Sequence, residues 1–157
     1  MRESRLMRCV RRVFVLVGVV LGVAGLSAGV ASADGPVQLK SRLGDFCLEA
    51  PSGGWFTALV ITPCNGSDFQ RWNLNSDQEI ESVARPGDCV NIGNMLYAFV
   101  QPCLNGISQQ WTIEPDGLVS NLGANCLPVL GGRDPGTGVS TRLCAPGALD
   151  QEWDTVP

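Results

Sequence analysis

Phe69-Gln70-Arg71-Trp72 decides how this chain is read, because the chain repeats its pattern. Gln109-Gln110-Trp111 and Gln151-Glu152-Trp153 restate Gln-x-Trp, with steps of 39 and 42 residues between the tryptophans. A cysteine precedes each unit at nearly constant distance: Cys64 stands six residues before Gln70, Cys103 six before Gln109 and Cys144 seven before Gln151. A second cysteine opens each block, in Phe46-Cys47-Leu48-Glu49, Asp88-Cys89-Val90-Asn91 and Asn125-Cys126-Leu127-Pro128. The chain is therefore a threefold repeat, with a period of about 40 residues, before it is anything else.

Upstream of the repeat, Arg2, Arg5, Arg8, Arg11 and Arg12 precede an apolar run from Val13 to Leu26, and Ala31-Ser32-Ala33 is a small-residue cleavage site. This reads as a secretory signal peptide over residues 1–33, a helix outside the fold. The run falls short of the roughly 20 residues a spanning helix needs; an uncleaved anchor is the alternative. Cys9 lies before the apolar run, which argues against a lipid-modified cysteine. Arg11-Arg12 leaves twin-arginine export open beside the general route.

Cleavage after Ala33 leaves residues 34–157, 124 residues, the size of one domain. Six basic residues face 14 acidic ones there, a formal charge of −8. That sign repels phosphate backbones, so nucleic acid is not an expected partner. No later apolar stretch approaches membrane length, so no membrane association is expected once the signal is removed. The sequence sets no oligomeric state.

Six cysteines remain, and an even number in an exported chain reads as a disulfide set. The repeat selects Cys47 with Cys64, Cys89 with Cys103 and Cys126 with Cys144, each closing a loop within its own block. A structural zinc site would need close Cys-x-x-Cys pairs, which the sequence lacks.

Between the cysteines the signals are for strands and turns. Short alternating pieces such as Val37-Gln38-Leu39-Lys40 are bounded by Pro51-Ser52-Gly53-Gly54, Asn65-Gly66, Pro86-Gly87-Asp88, Asn105-Gly106, Pro115-Asp116-Gly117 and Asp134-Pro135-Gly136. Such punctuation predicts an all-β barrel or sandwich. Three lobes follow, near 34–75, 76–114 and 115–157, each too small to bury a core alone and able to share one by closing around a common axis. Trp72, Trp111 and Trp153 are predicted to point into that core. The glutamine two residues before each should aim its amide at backbone groups of the adjacent loop, since a buried amide without partners is costly.

Composition narrows the chemistry. The chain contains no histidine, which removes Ser-His-Asp and Cys-His pairs, HExxH metal sites and the commonest general base. Lys40 is its single lysine. Paired carboxylates of the glycoside-hydrolase kind stay formally open, although clusters such as Asp77-Gln78-Glu79-Ile80-Glu81 read as solvated surface. Asp134-Pro135-Gly136 is a turn rather than a Ca²⁺ loop. Neither a metal nor a cofactor is expected. Asn65-Gly66-Ser67 fits the N-glycosylation pattern, which the tight turn of Asn-Gly explains as well.

Three spaced Gln-x-Trp units with paired cysteines resemble the ricin-type β-trefoil lectins over the whole mature chain. Asp34-Gly35-Pro36-Val37-Gln38-Leu39-Lys40-Ser41-Arg42-Leu43-Gly44-Asp45 is similar to the start of the small secreted members of mycobacteria. The resemblance implies a β-trefoil, a barrel of six two-stranded hairpins with up to three shallow sugar sites, one per lobe. Family sites place a carboxylate two residues after the first cysteine, where this chain has Glu49, Asn91 and Pro128. An aromatic ring usually stands two before the second cysteine, where this chain has Thr62, Gln101 and Arg142. Just before Gln-x-Trp the family often has Asn; here Phe69, Ser108 and Asp150 occupy those places.

Rings occur elsewhere: Trp55 after two glycines in the first lobe, and Tyr97 and Phe99 in the second. The candidate sugar contacts are therefore Glu49, Trp55, Gln70, Asn91, Tyr97, Gln101 and Gln109, with the two glutamines also carrying the structural role above. The first lobe ranks ahead of the second, and the third is expected to be silent. The resemblance implies a secreted, non-enzymatic lectin for glycans of the cell envelope or of a host. The departures from the family pattern leave a protein-binding or inhibitory trefoil as the alternative.

Overall fold

A computed structural model of the protein describes residues 35–54, 56–92 and 97–157. The predicted signal, residues 1–33, and Trp55 lie outside the described residues. What is described is all-β. The first lobe carries β1 (Gln38–Ser41), β2 (Phe46–Glu49), β3 (Thr57–Ala58), β4 (Val60–Pro63) and β5 (Trp72–Leu74). The second carries β6 (Ile80–Ser82), β7 (Asp88–Asn91), β8 (Phe99–Pro102) and β9 (Thr112–Ile113). The third carries β10 (Val119–Asn121), β11 (Asn125–Cys126), β12 (Thr137–Gly138), β13 (Arg142–Leu143) and β14 (Trp153–Val156).

The last strand of each lobe pairs antiparallel with the first strand of the next: β5 with β6, β9 with β10, and β14 back to β1. This circular pairing closes the chain on itself and leaves no lobe its own core. Within the lobes, β2 pairs with β4, β7 with β8 and β11 with β13. Lobes also meet through β3 on β8 and β12 on β4. The triad axis is visible in three backbone bonds. Leu59 N–H donates to Ala98 O at 2.9 Å, Ala98 N–H to Val139 O at 2.8 Å, and Val139 N–H to Leu59 O at 2.8 Å. Such a ring forms only where three equivalent segments surround one axis.

The tryptophans behave as the repeat predicts. All three are buried in one core with Leu39, Leu48, Ile61, Val90, Val119 and Leu127. Each indole N–H donates to the carbonyl of the residue after the first cysteine of its lobe: Trp72 to Leu48 O at 3.2 Å, Trp111 to Val90 O at 2.9 Å, and Trp153 to Leu127 O at 2.9 Å. The polar end of a buried indole is thus satisfied identically three times.

A 3₁₀ turn leads into each tryptophan, at Asp68–Gln70, Ile107–Gln109 and Leu149–Gln151, and delivers its glutamine inward. Each amide straddles the second cysteine. Gln70 Nε2 donates to Pro63 O and Oε1 accepts from Asn65 N; Gln109 does the same to Pro102 O and Leu104 N; Gln151 to Leu143 O and Ala145 N. The disulfides join Cys47–Cys64, Cys89–Cys103 and Cys126–Cys144, the pairs the repeat selects.

One ionic cluster fastens the ring where β14 meets β1. Arg42 donates to Asp154 Oδ1 at 2.9 Å, Glu152 Oε2 at 2.9 Å and Asp116 O at 2.6 Å. Hydrogen bonds to Asp154 and Glu152 raise the Arg42 pKa. Gly117, at φ +97°, lies so close beneath that a Cβ there would stand 2.8 Å from the guanidinium carbon.

Candidate functional site

The register of each hairpin determines which side chains face out. Leu48 opposes Ile61 and Val90 opposes Val100, and all four point to the core. Alternation along a strand then turns their neighbours outward. In the first lobe these are Glu49 opposite Val60, with Thr62 opposite Cys47. In the second they are Asn91 opposite Phe99, with Gln101 opposite Cys89. In the third, Arg142 opposes Cys126.

The first-lobe site is organised around the Glu49 carboxylate. Its Oε2 accepts from the Thr62 hydroxyl and from Gln70 Nε2 at 2.9 Å. Gln70 Nε2 also lies 2.7 Å from Thr62 Oγ1, and Gln38 Nε2 donates to Gln70 Oε1 at 3.2 Å. Glu49 Oε1 has no partner among the described residues. One oxygen therefore fixes the carboxylate and the other remains an acceptor on a half-buried surface. Gln70 is fully buried, so it touches Glu49 and the loop rather than solvent. Thr62, where the family usually has a ring, acts here as the carboxylate's anchor.

The second lobe lacks that network. Asn91 is buried and makes no side-chain hydrogen bond within the described chain. Gln109 is buried and its amide is consumed by the Cys103 loop. Tyr97 is half-exposed and lies across the seam on the third lobe: a Cβ on Gly138 would stand 2.6 Å from Tyr97 Cε1. The ring opposite Asn91 is instead Phe99, against which exposed Phe56 of the first lobe packs edge-on, with centroids 5.4 Å apart and planes at 73°.

Phe56 belongs to a loop held from outside its own lobe. Arg85 donates to Gly53 O at 2.9 Å, Gly54 O at 3.0 Å and Thr57 Oγ1 at 2.8 Å, while its Nε pairs with Asp88 at 2.7 Å. Neither Arg85 nor the meeting of Phe56 with Phe99 carries a local sequence signal, because each joins residues far apart in the chain.

In the third lobe a depression of about 400 Å³ is lined by Asn125, Pro128, Leu130, Thr141, Arg142 and Leu143, among others. Pro128 has no polar side chain, and Arg142 is paired with Asp150 at 2.5 Å. Away from the hairpins, Glu79 approaches Cys89 and Cys103. Those cysteines are bonded to each other, and Glu79 accepts from Asn105 N at 2.8 Å and Asn75 Nδ2 at 3.0 Å, as a packed carboxylate does. No helix among the described residues is long and apolar enough to cross a membrane.

Comparison with known proteins agrees with this architecture. The sequence model of the ricin-type beta-trefoil lectin domain matches residues 35–153. Uncharacterized proteins of Mycobacterium tuberculosis and Mycobacterium bovis are each 67% identical to the chain over 157 residues, which is 100% of both partners. The beta-trefoil lectin of Vibrio vulnificus hemolysin/cytolysin, solved with N-acetyl-D-lactosamine bound, superposes with a TM-score of 0.67 at 20% identity over 80% of this chain and 96% of that one. The C-half of the earthworm R-type lectin, solved with GalNAc, gives a TM-score of 0.69 at 13% identity over 78% and 98%. The designed 3-fold symmetric protein ThreeFoil gives 0.67 at 19% identity over 79% and 99%. At these identities the structural likeness establishes the path of the backbone, and the sequence match establishes descent: the chain belongs to the ricin-type β-trefoil lectin family.

Proposed function

We propose that the chain is an exported, non-catalytic carbohydrate-binding protein whose principal site is the outer face of the first-lobe hairpin. The observation that carries this reading is the Glu49 carboxylate, held through one oxygen by Thr62 and Gln70 with the other oxygen open. A carboxylate fixed in this way accepts hydrogen bonds from neighbouring sugar hydroxyls without first losing side-chain entropy. Trp55, as the stacking ring, and Asn91, Gln101 and Tyr97, as contacts in and beside the second lobe, extend the reading. Gln70 and Gln109 serve it from beneath, as supports of the loops. Residues 1–33 act as the export signal, and three disulfides suit the oxidising compartment it leads to.

Shallow sites facing water bind single sugars on the order of millimolar. Useful affinity then comes from several contacts on one polymeric glycan of an envelope or a host surface. Glu49→Ala tests the reading: first-lobe binding in a glycan titration should disappear while the fold persists with a lower thermal midpoint, since Gln70 loses the carboxylate but keeps its bonds to Pro63 O and Asn65 N. Unaltered affinity would remove Glu49 from the site. A protein-binding trefoil is the second reading, favoured by the third lobe, where Pro128 and the Arg142–Asp150 pair replace a sugar acceptor and Leu143 is exposed. A glycan array beside a pull-down from host extract separates the two.

A further inference from the structure

We propose that the seam between the second and third lobes, where Leu104, Ile107 and Leu122 are exposed together, is the face on which two copies of this chain dimerise. The inference stands on that surface alone and does not require the carbohydrate-binding reading.

Three apolar side chains surface there. Leu104 and Ile107 belong to the loop that runs from Cys103 into the 3₁₀ turn at Ile107–Gln109, and they are 73% and 68% exposed. Leu122, 66% exposed, opens the turn between β10 and β11. Asn121 fastens that turn to the loop: its Nδ2 donates to Ile107 O and to Gln110 O, both at 2.7 Å. Apolar residues of two lobes are thereby brought to one stretch of surface.

The fold does not ask for them. At the matching places after its second cysteine the first lobe carries Asn65 and Asp68, and its 3₁₀ turn and inward glutamine form just the same. Leu122 is also costly where it stands. Its φ is +52° and that of Gly123 is +66°, in a turn closed by Ala124 N–H on Asn121 O. This left-handed backbone suits asparagine or glycine and strains leucine. A leucine that strains the backbone and is left mostly in water is explained by a surface that comes to cover it.

Charge identifies what covers it. The domain carries a formal −8, so two copies repel wherever their acidic faces meet. Residues 89–113 and 117–132 contain no charged side chain, and these two runs supply the whole patch. Glu114 and Asp116, between them, lie in the turn at the opposite end of β10 from Leu122. Glu79, whose carboxylate accepts from Asn105 N of the loop, is buried. A basic partner would be drawn to the acids elsewhere, whereas an uncharged face is where identical acidic chains can meet about a twofold axis. The three side chains offer about 350 Å² of apolar surface, and the intervening Asn105, Gly106 and Gln110 extend it to roughly 600 Å² per copy. That is the low end of specific interfaces and fits a weak dimer, with Kd on the order of 10–100 μM. No first-lobe residue takes part, so the pair would present two Glu49 hairpins at once.

Sedimentation equilibrium of the exported protein from about 1 to about 500 μM tests the assignment in wild type, in Leu104→Asn with Ile107→Asp, which mimics the first lobe, and in Leu122→Asn. Wild type should pass from monomer to dimer across that range. The transition should tighten several-fold when NaCl is raised from about 50 to about 500 mM, because salt screens the like charges. Both variants should weaken dimerisation at least tenfold. Leu122→Asn should do so without lowering the thermal midpoint of the dilute protein, since asparagine relieves the turn, and this separates loss of the interface from loss of the fold. A wild type that stays monomeric at the top of the range overturns the proposal, and so does a dimer indifferent to both variants. Flotation with phosphatidylcholine vesicles covers the other occupant: a protein that is monomeric in solution and floats with them, but not as Leu122→Asn, has a lipid surface for its partner and not a second copy.

Discussion

Replacing Gln109 with alanine separates a supporting glutamine from a ligand contact. The side chain is 1% exposed, accepts from Leu104 N at 2.8 Å and donates to Pro102 O at 3.0 Å. Truncation leaves both backbone groups unpartnered in a nearly closed space. Each such group costs about 1–3 kcal/mol, and water entering the cavity recovers part of the sum, so the loss should be roughly 2–4 kcal/mol. For a domain of this size that corresponds to a fall of roughly 8–15 °C in Tm. Guanidinium unfolding with the disulfides intact, followed by tryptophan fluorescence, reads the change as a lower midpoint at constant slope. Gln109→Met keeps the length of the side chain and removes both bonds, so it should fall close to the alanine variant if hydrogen bonding dominates. A change below about 0.5 kcal/mol, the range of surface substitutions, would refute the reasoning. Loss of glycan affinity at unchanged midpoint would instead make Gln109 a direct contact.

Removing the second-lobe bridge as Cys89→Ala with Cys103→Ala, which opens a loop with a sequence separation of 14, should cost about 3 kcal/mol in the same unfolding assay; a midpoint equal to wild type would show that the bridge adds nothing to the hydrogen-bonded hairpin. Trp72→Phe deletes the donor to Leu48 O, and calorimetry should register a loss of about 1–3 kcal/mol. Gly138→Ala places a methyl within 2.6 Å of the Tyr97 ring. Tyr97 should be displaced, changing the near-ultraviolet circular dichroism of the single tyrosine, and an unchanged spectrum would mean that the ring does not rest there.

The positions of the tryptophans, glutamines and cysteines were legible because the threefold fold imposes the same local problem three times. Each lobe must bury an indole whose N–H needs a carbonyl, and each must bridge a loop whose backbone groups need an amide. Spacing along the chain records both. The candidate site was legible only where it lies within one hairpin: the resemblance to ricin-type lectins points to Glu49, two residues after Cys47, while its fixation by Thr62 and Gln70 requires the paired strands. Tyr97 shows the limit. As a ring two residues before Phe99 it is read as a second-lobe contact, but it crosses to Gly138, where the absence of a side chain makes room.

The sequence by itself determined the repeat, the pairing of the cysteines, the three buried indoles and the all-β class, because these are set by short-range periodicity and by the cost of leaving polar groups unsatisfied. The tertiary structure decided everything that depends on closure around the axis. The ring of bonds among Leu59, Ala98 and Val139, the approach of Phe56 to Phe99 and the reach of Arg85 into the first lobe bring together residues separated by tens of positions. No local pattern encodes such meetings, since they arise only when three lobes share one core.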